Sequence, residues 1–166
     1  MSENYIMLNG KRVDLTDEQL EKLGVKTNIN NDCFQRVNFL NRYYAMDMSG
    51  YVVSVREENA TTDKSRYKVA NYCTDKKLME QRALHEILSR LLWRFSMQND
   101  GDKIDWHNID QNKYKIYYDH RKEKFFVGCN CWEQHDVQYF HTEEIAKKAI
   151  NEIVLPFMKE HPEFVW

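Results

Sequence analysis

The sequence predicts an α+β fold: two similar βββα units, antiparallel hairpins with covering helices, behind a small N-terminal ββα unit. Three observations carry this. An Asn-Gly pair near the start is flanked by β-forming residues. A long amphipathic stripe follows the first Tyr-rich hairpin. The same order of hairpin, short strand and helix then recurs in the second half.

The opening unit, residues 1–24, obeys local rules. Asn9-Gly10 suits a type I′ turn, because both residues tolerate positive φ. Ile6 and Leu8 can then face Val13 and Leu15. Thr16 is placed to cap a helix, with Gln19 closing a capping box and Leu15 and Leu20 at the staple positions. Gly24 supplies the stop. So small a unit buries too little to stand alone, so it must dock on the body or on a partner. Residues 25–38, VKTNINNDCFQRVN, show no period and read as a linker.

The first βββα unit is predicted over 39–98. YYAMDMSGYVVSVRE (43–57) is a hairpin turning at Ser49-Gly50. ENATTDKS (58–65) reads as a polar loop and RYKVANYC (66–73) as a third strand. Thr74 is placed to cap the long helix. On that helix Leu84, Ile87, Leu88, Leu91, Leu92 and Phe95 form one apolar stripe. An acidic connector occupies 99–112, and the second unit 113–166.

The second unit can be laid on the first. Tyr117 falls 74 residues after Tyr43, with Tyr-Tyr, a Tyr51/Phe125 match and Val53/Val127 in step. AINEIV then matches ALHEIL with Ala149 66 residues after Ala83. The change of offset places the shortening in the loop before the third strand. DVQYFH (136–141) reads as that strand, Thr142 as a helix cap, and Pro156 as a break or kink near Leu155.

Composition narrows the function. Hydrophobic residues are 42% and aromatics 13%, enough for a packed core, so global disorder is excluded. The formal net charge of −2 gives no global nucleic-acid signature, so a polyanion would have to be met by a local basic patch. No basic-then-apolar leader opens the chain, and no apolar run approaches the ~20 residues that span a bilayer. The expectation is a cytoplasmic protein with no membrane partner, whose four Cys are reduced thiols.

Cys129, Cys131, His135 and His141 are zinc-ligand types, but C-x-C is the wrong spacing for a knuckle. Within a strand both thiols share a face with Phe125 and Val127, so they are read as buried apolar groups. No metal and no cofactor is expected. Nucleophile elbows, phosphate loops and HExxH are all missing from the sequence, and the paired carboxylates Glu57-Glu58 and Glu143-Glu144 sit at element ends. The chain is therefore read as a non-enzyme with no catalytic residues.

Two segments are candidate partner-binding sites. The connector carries Asp100, Asp102, Asp105 and Asp110 around Trp106, with Lys103 the one cation between Asn99 and Asp110. An acidic loop with an aromatic anchor suits a basic protein groove; the alternative is a solvated loop whose Trp106 tucks back into the core. On the long helix, Arg90, Trp93 and Met97 lie off the apolar stripe and are types enriched in interface cores. The N-terminal unit, another protein or a second copy of the chain would cover them. A basic cluster, Arg56, Lys64, Arg66 and Lys68 with Tyr67 and Tyr72, offers a nucleic-acid alternative, diluted by Glu57, Glu58 and Asp63.

LNGKRVDLTDEQLEKLG, RYKVANYCT and WRFSMQNDGDKIDWHNIDQNKYKIYYD resemble a loose group of accessory proteins from phages and prophages of gut Firmicutes. Most of the chain is covered, but the shared motifs are structural. That group includes inhibitors of host defence, notably anti-CRISPR proteins. The resemblance implies a protein that binds and inhibits a host defence component, most concretely an anti-CRISPR that blocks a Cas nuclease. A phage structural or assembly protein and a nucleic-acid-binding regulator are the alternatives. No catalytic residues come with the resemblance.

Overall fold

A computed structural model describes residues 5–8, 11–14, 33–99, 103–132 and 137–166. The chain divides into two compact units, Met1–Gln35 and Arg36–Trp166. In the first, β1 (Tyr5–Leu8) pairs antiparallel with β2 (Lys11–Asp14), with Ile6 opposite Val13 and Leu8 opposite Lys11. The Asn9-Gly10 turn and the Thr16-capped helix lie outside the described residues.

The second unit is mixed α and β with small antiparallel sheets. Its first hairpin joins β3 (Arg42–Met46) to β4 (Val52–Arg56). The turn between them is shaped by Asp47, whose Oδ1 accepts the N–H groups of Ser49 and Tyr51. Gly50 is needed there twice over. Its φ is +91°, and a Cβ would meet the Ile87 side chain at 3.0 Å.

The segment after this hairpin differs from the expectation. The loop residues ENATTDKS and the third strand RYKVANYC are replaced by α1 (Thr61–Lys68) and a single bridge, Cys73 to Tyr44. α1 has no apolar stripe to announce it. Asp63 holds its start instead, accepting the N–H groups of Ala60 and Glu58 at 3.0 Å each. A complete βββα order is therefore absent from the described residues of this half.

α2 (Lys76–Asn99) is the long helix. Its cap is Asp75 rather than Thr74, since Asp75 Oδ1 accepts the Leu78 N–H at 3.1 Å. The predicted stripe packs as expected: Leu84, Leu88, Leu92 and Phe95 are buried, with Ile87 and Leu91 against them.

β5 (Lys113–Asp119), β6 (Lys124–Asn130) and β7 (Tyr139–Phe140) form a sheet in the order β6-β5-β7. Here the hairpin register pairs Tyr117 with Phe126, whereas Tyr43 pairs with Val55. The two hairpins are thus out of step with a constant 74-residue offset. α3 (Glu143–Ala149) starts at Thr142, whose Oγ1 accepts the Ile145 N–H at 3.2 Å. A π turn over Ile150–Val154 leads into α4 (Leu155–Glu160). Pro156 therefore does not end the helical run. It sits in the first turn of α4, where its missing N–H is least needed, and the wider turn before it absorbs the register change.

The main core lies between these elements. Leu88, Leu92, Phe95, Phe140, Val154 and Phe157 meet there, with Tyr114, Ile116, Phe125 and Val127 lining the sheet's inner face. A smaller cluster, Tyr43, Ala45 and Tyr72 with Val37 and Val55, closes the first hairpin. No helix among the described residues is long and apolar enough to cross a membrane.

Candidate functional site

The off-stripe residues of α2 are where periodicity put them. Trp93 is 60% exposed and Met97 46% exposed. Arg90, one turn before, is held by an ion pair with Glu86 four residues back. The three share one side of α2 by their spacing. Arg90 also reaches the rim of a groove of about 370 Å³ whose other walls include Met48 and Val69. Met48 stands at the hairpin tip with its side chain almost wholly in solvent. Arg90 and Met48 thus line one groove beside the β3–β4 turn, and Trp93 stands one turn further along α2 from Arg90.

Of the two readings of the acidic connector, the structure has the tucked tryptophan. Asp100 and Asp102 lie outside the described residues. Asp105 spends part of its acceptor capacity locally, taking the His107 N–H at 2.8 Å, and Asp110 is exposed. Trp106 is half-buried, edge-on to Tyr139 with ring centroids 5.0 Å apart. The indole therefore packs on its own protein rather than standing free as an anchor.

What fixes the connector is Lys113, which sequence reasoning missed. Its side chain is 0% exposed, yet its ammonium has three partners. Nζ donates to the carbonyls of Asn108 (2.7 Å), Gln111 (2.9 Å) and Cys131 (3.0 Å), and lies 5.3 Å from the Trp106 ring centroid. All three donors are used, which is the condition for burying an ammonium. Gln111 adds bonds to the Asp105 N–H and the Lys103 carbonyl. Asp105 and Asp110 are therefore presented from a fixed loop.

The outer face of the second sheet is the other feature not foreseen. Alternation puts Lys115 and Tyr117 of β5 and Lys124, Phe126 and Gly128 of β6 on the side opposite the core. Tyr117 and Phe126 stack at 5.0 Å with 6° between ring planes. Lys115 Nζ lies 4.7 Å from the Tyr117 centroid. A Cβ on Gly128 would come within 2.7 Å of the Tyr117 ring, so that ring lies where a side chain would otherwise be. The Phe125-Phe126 doublet in an alternating strand was the available signal, since one of the two rings had to face away from the core.

The basic hairpin cluster does not form a stacking surface. Lys64, Arg66 and Lys68 are on α1, and Tyr72 is buried. Tyr72 stacks on Tyr43 at 3.8 Å, and its hydroxyl donates to Glu57 Oε2 at 2.9 Å while accepting the Val37 N–H at 3.0 Å. Arg36 grips Glu57 through Nε and Nη2 at 2.9 and 2.6 Å. Residues 36 and 37, expected in the linker, thus belong to this hairpin's core. Tyr43 donates to Asp63 at 2.6 Å and receives Arg66 Nη1 at 3.2 Å.

The electrostatics follow. The Arg36 guanidinium, outweighing burial, holds the Glu57 carboxyl below the usual carboxylate range. Burial pushes Asp63 up, but the Tyr43 hydroxyl, two backbone N–H groups and Arg66 together bring it below its ordinary value. Burial, with the neighbouring Glu57, pushes the Tyr72 phenol up to about 12.

Among the described residues no cluster of His, Cys, Asp and Glu is arranged to hold a metal ion. His135 lies outside them. The expectation of two buried thiols is corrected: Cys129 is exposed and Cys131 half-exposed, with its Sγ donating to Asn112 Oδ1 at 3.1 Å. Cys129 is the next-to-last residue of β6, and Cys131 follows the strand's end.

Compared with protein-family models, curated proteins and solved structures, the chain matches none.

Proposed function

We propose that this chain is a non-catalytic binding protein that engages a protein partner through Arg90, Trp93 and Met97 on α2. The observation that carries this is the exposure of Trp93 and Met97 on a helix whose other large apolar residues are mostly packed away. Exposed Trp, Met and Arg together are the composition of an interface core rather than of a solvated face. The fixed acidic loop with Asp105 and Asp110 follows the C-terminal end of this helix, and its charge suits a partner with a basic surface. The buried carboxylates Glu57 and Asp63 are saturated by tyrosine, arginine and backbone donors, which fits a structural role for them.

The resemblance to phage accessory proteins supplies the partner class. It is a host defence protein met in the host cytoplasm, most concretely a Cas nuclease whose nucleic-acid groove is basic. The acidic loop, with Asp100 and Asp102 adding to it, would compete there with nucleic acid.

The test is co-purification with Cas9-type effectors, followed by DNA cleavage in the presence of the protein. The expected result is a stable complex and suppressed cleavage with at least one effector. Undiminished cleavage across a panel of effectors removes the anti-CRISPR form of the proposal. Recovery of the protein as part of purified phage particles would replace it with an assembly role.

A further inference from the structure

The outer face of the β5–β6 hairpin carries a second, independent inference. Its two rings lie parallel, and Phe126 is 48% exposed. Stacked aromatics on a sheet face usually signal either core or a platform for planar ligands. The helices pack against Tyr114, Ile116, Phe125 and Val127 on the opposite face; on this one the connector's Trp106 covers Tyr139 beside Lys115, while Phe126 of the ring pair stays open among the described residues.

The charge around the rings selects the ligand. Residues 113–124 hold five cations (Lys113, Lys115, Arg121, Lys122, Lys124) against two carboxylates (Asp119, Glu123), in a chain of formal net charge −2. Lys113 is spent on the connector, as shown above. Of the carboxylates, Asp119 stands opposite Lys124 on this same face, with its Oδ1 held by the turn that follows it. It accepts the Arg121 N–H at 2.9 Å and lies 3.6 Å from Arg121 Nε. Glu123 is exposed at the tip, and Asp105 and Asp110 stand on the connector loop, whose Trp106 packs edge-on to Tyr139. The ring pair itself is bordered by Lys115 and Lys124, with Lys122 at the turn. Planar rings bordered by lysines match alternating bases and phosphates.

We propose that the Tyr117–Phe126 stack, with Lys115, Lys122 and Lys124 beside it, binds single-stranded nucleic acid. A base continues the stack on the exposed Phe126 ring, and the lysines hold the adjoining phosphates. Single strands are favoured over duplex because their bases are free to leave one stack and join another. Gly128 contributes by leaving the sheet bare beneath Tyr117, so that the ring can lie across it. The site is sequence-tolerant, since every base has a π face and no base-edge donor set is needed to hold it.

Fluorescence anisotropy with labelled oligo-dT and oligo-rU of about 15 nucleotides, at about 50 mM salt, tests this. Binding is expected to weaken about tenfold in Phe126→Ala. In Lys124→Glu it should weaken with a salt slope shallower by roughly 0.7 or more. Trp93→Ala, on α2, should bind as wild type does, which separates this site from the proposed protein interface. Lys124 is exposed, so its variant keeps the test valid if Phe126→Ala proves unstable by circular dichroism. Preference between the dT and rU probes identifies DNA or RNA as the ligand. The proposal is overturned by failure of both strands to bind, by equal binding of a duplex, or by binding that survives folded Phe126→Ala or Lys124→Glu.

Discussion

Among the described residues of 36–166 two ring pairs stack, one at the first hairpin, between Tyr43 of β3 and Tyr72 beyond α1, and one on the second hairpin, and they differ in what surrounds them. Tyr43 and Tyr72 stack at 3.8 Å and are sealed. Their hydroxyls end on Asp63 and Glu57, which are themselves buried and tied to Arg66 (through Tyr43) and Arg36. Tyr117 and Phe126 stack at 5.0 Å and remain open, bordered by lysines that reach water. Similar side chains in similar geometry thus serve different ends. Carboxylates that accept from the phenols turn the first pair into a polar core. Lysines and solvent leave the second pair free for a ligand.

The comparison is broken most forcefully at Glu57. Glu57→Ala strips Arg36, the Tyr72 hydroxyl and the Asn59 N–H of their acceptor, the Tyr72 hydroxyl in a sealed site and Arg36 30% exposed. Urea denaturation should show a loss of about 2–4 kcal/mol, because the stranded Arg36 still reaches water. A loss below about 1 kcal/mol would show that the carboxylates do not hold the first pair.

Acid approaches the same site reversibly. Glu57 and Asp63 are held below their ordinary values of 4.5 and 3.8 in the folded protein. A depressed carboxylate stabilises the fold above its unfolded value, and that contribution drains away as the pH falls through the folded one. Stability should therefore decline from about pH 4.5 downward, and Glu57→Gln should flatten the decline. Tyr72 works in the opposite sense. Its phenol is raised from 10.0 to about 12, so the fold favours the neutral form. The contribution is intact below pH 10 and lost between pH 10 and 12.

Tyr72→Phe sharpens the comparison by deleting one oxygen. It leaves the Val37 N–H and one bond of Glu57 unmet, and should cost about 1–3 kcal/mol while reducing the high-pH loss to what the Tyr43 phenol, also raised by burial, still contributes. At the open pair the effect on stability is expected to be smallest. Phe126→Ala should cost less than about 1 kcal/mol, and Trp93→Ala about 0.5 kcal/mol or less, because both side chains already face water. A large destabilisation by either would place that residue in the core.

The parts of this molecule that were legible in the sequence are those governed by neighbours in the chain. The β3–β4 hairpin, the Leu84–Phe95 stripe, the Thr142 cap and the off-stripe position of Trp93 and Met97 all follow from local spacing. What was hidden depends on distant partners. α1 has no stripe and starts on Asp63, whose other oxygen is fixed by Tyr43 twenty residues away. Cys73 bridges Tyr44 without extending into a strand. That Trp106 tucks back was open to sequence reasoning, but its partners Tyr139 and the buried Lys113 were not, because nothing near it in sequence reveals them. Lys113 itself is the kind of residue composition assigns to the surface, and only three converging carbonyls explain it.

The claim at the centre of this account is that sealed rings hold the fold while exposed ones meet partners. Its most direct measurement uses the double variant Trp93→Ala, Met97→Ala beside wild type, in DNA cleavage by a nuclease that wild type inhibits. The urea midpoint is read on the same preparations. The account predicts an unchanged midpoint and about 30-fold more protein for half-inhibition, as loss of an interface anchor requires. Inhibition equal to wild type, or inhibition lost together with a collapsed midpoint, would contradict it.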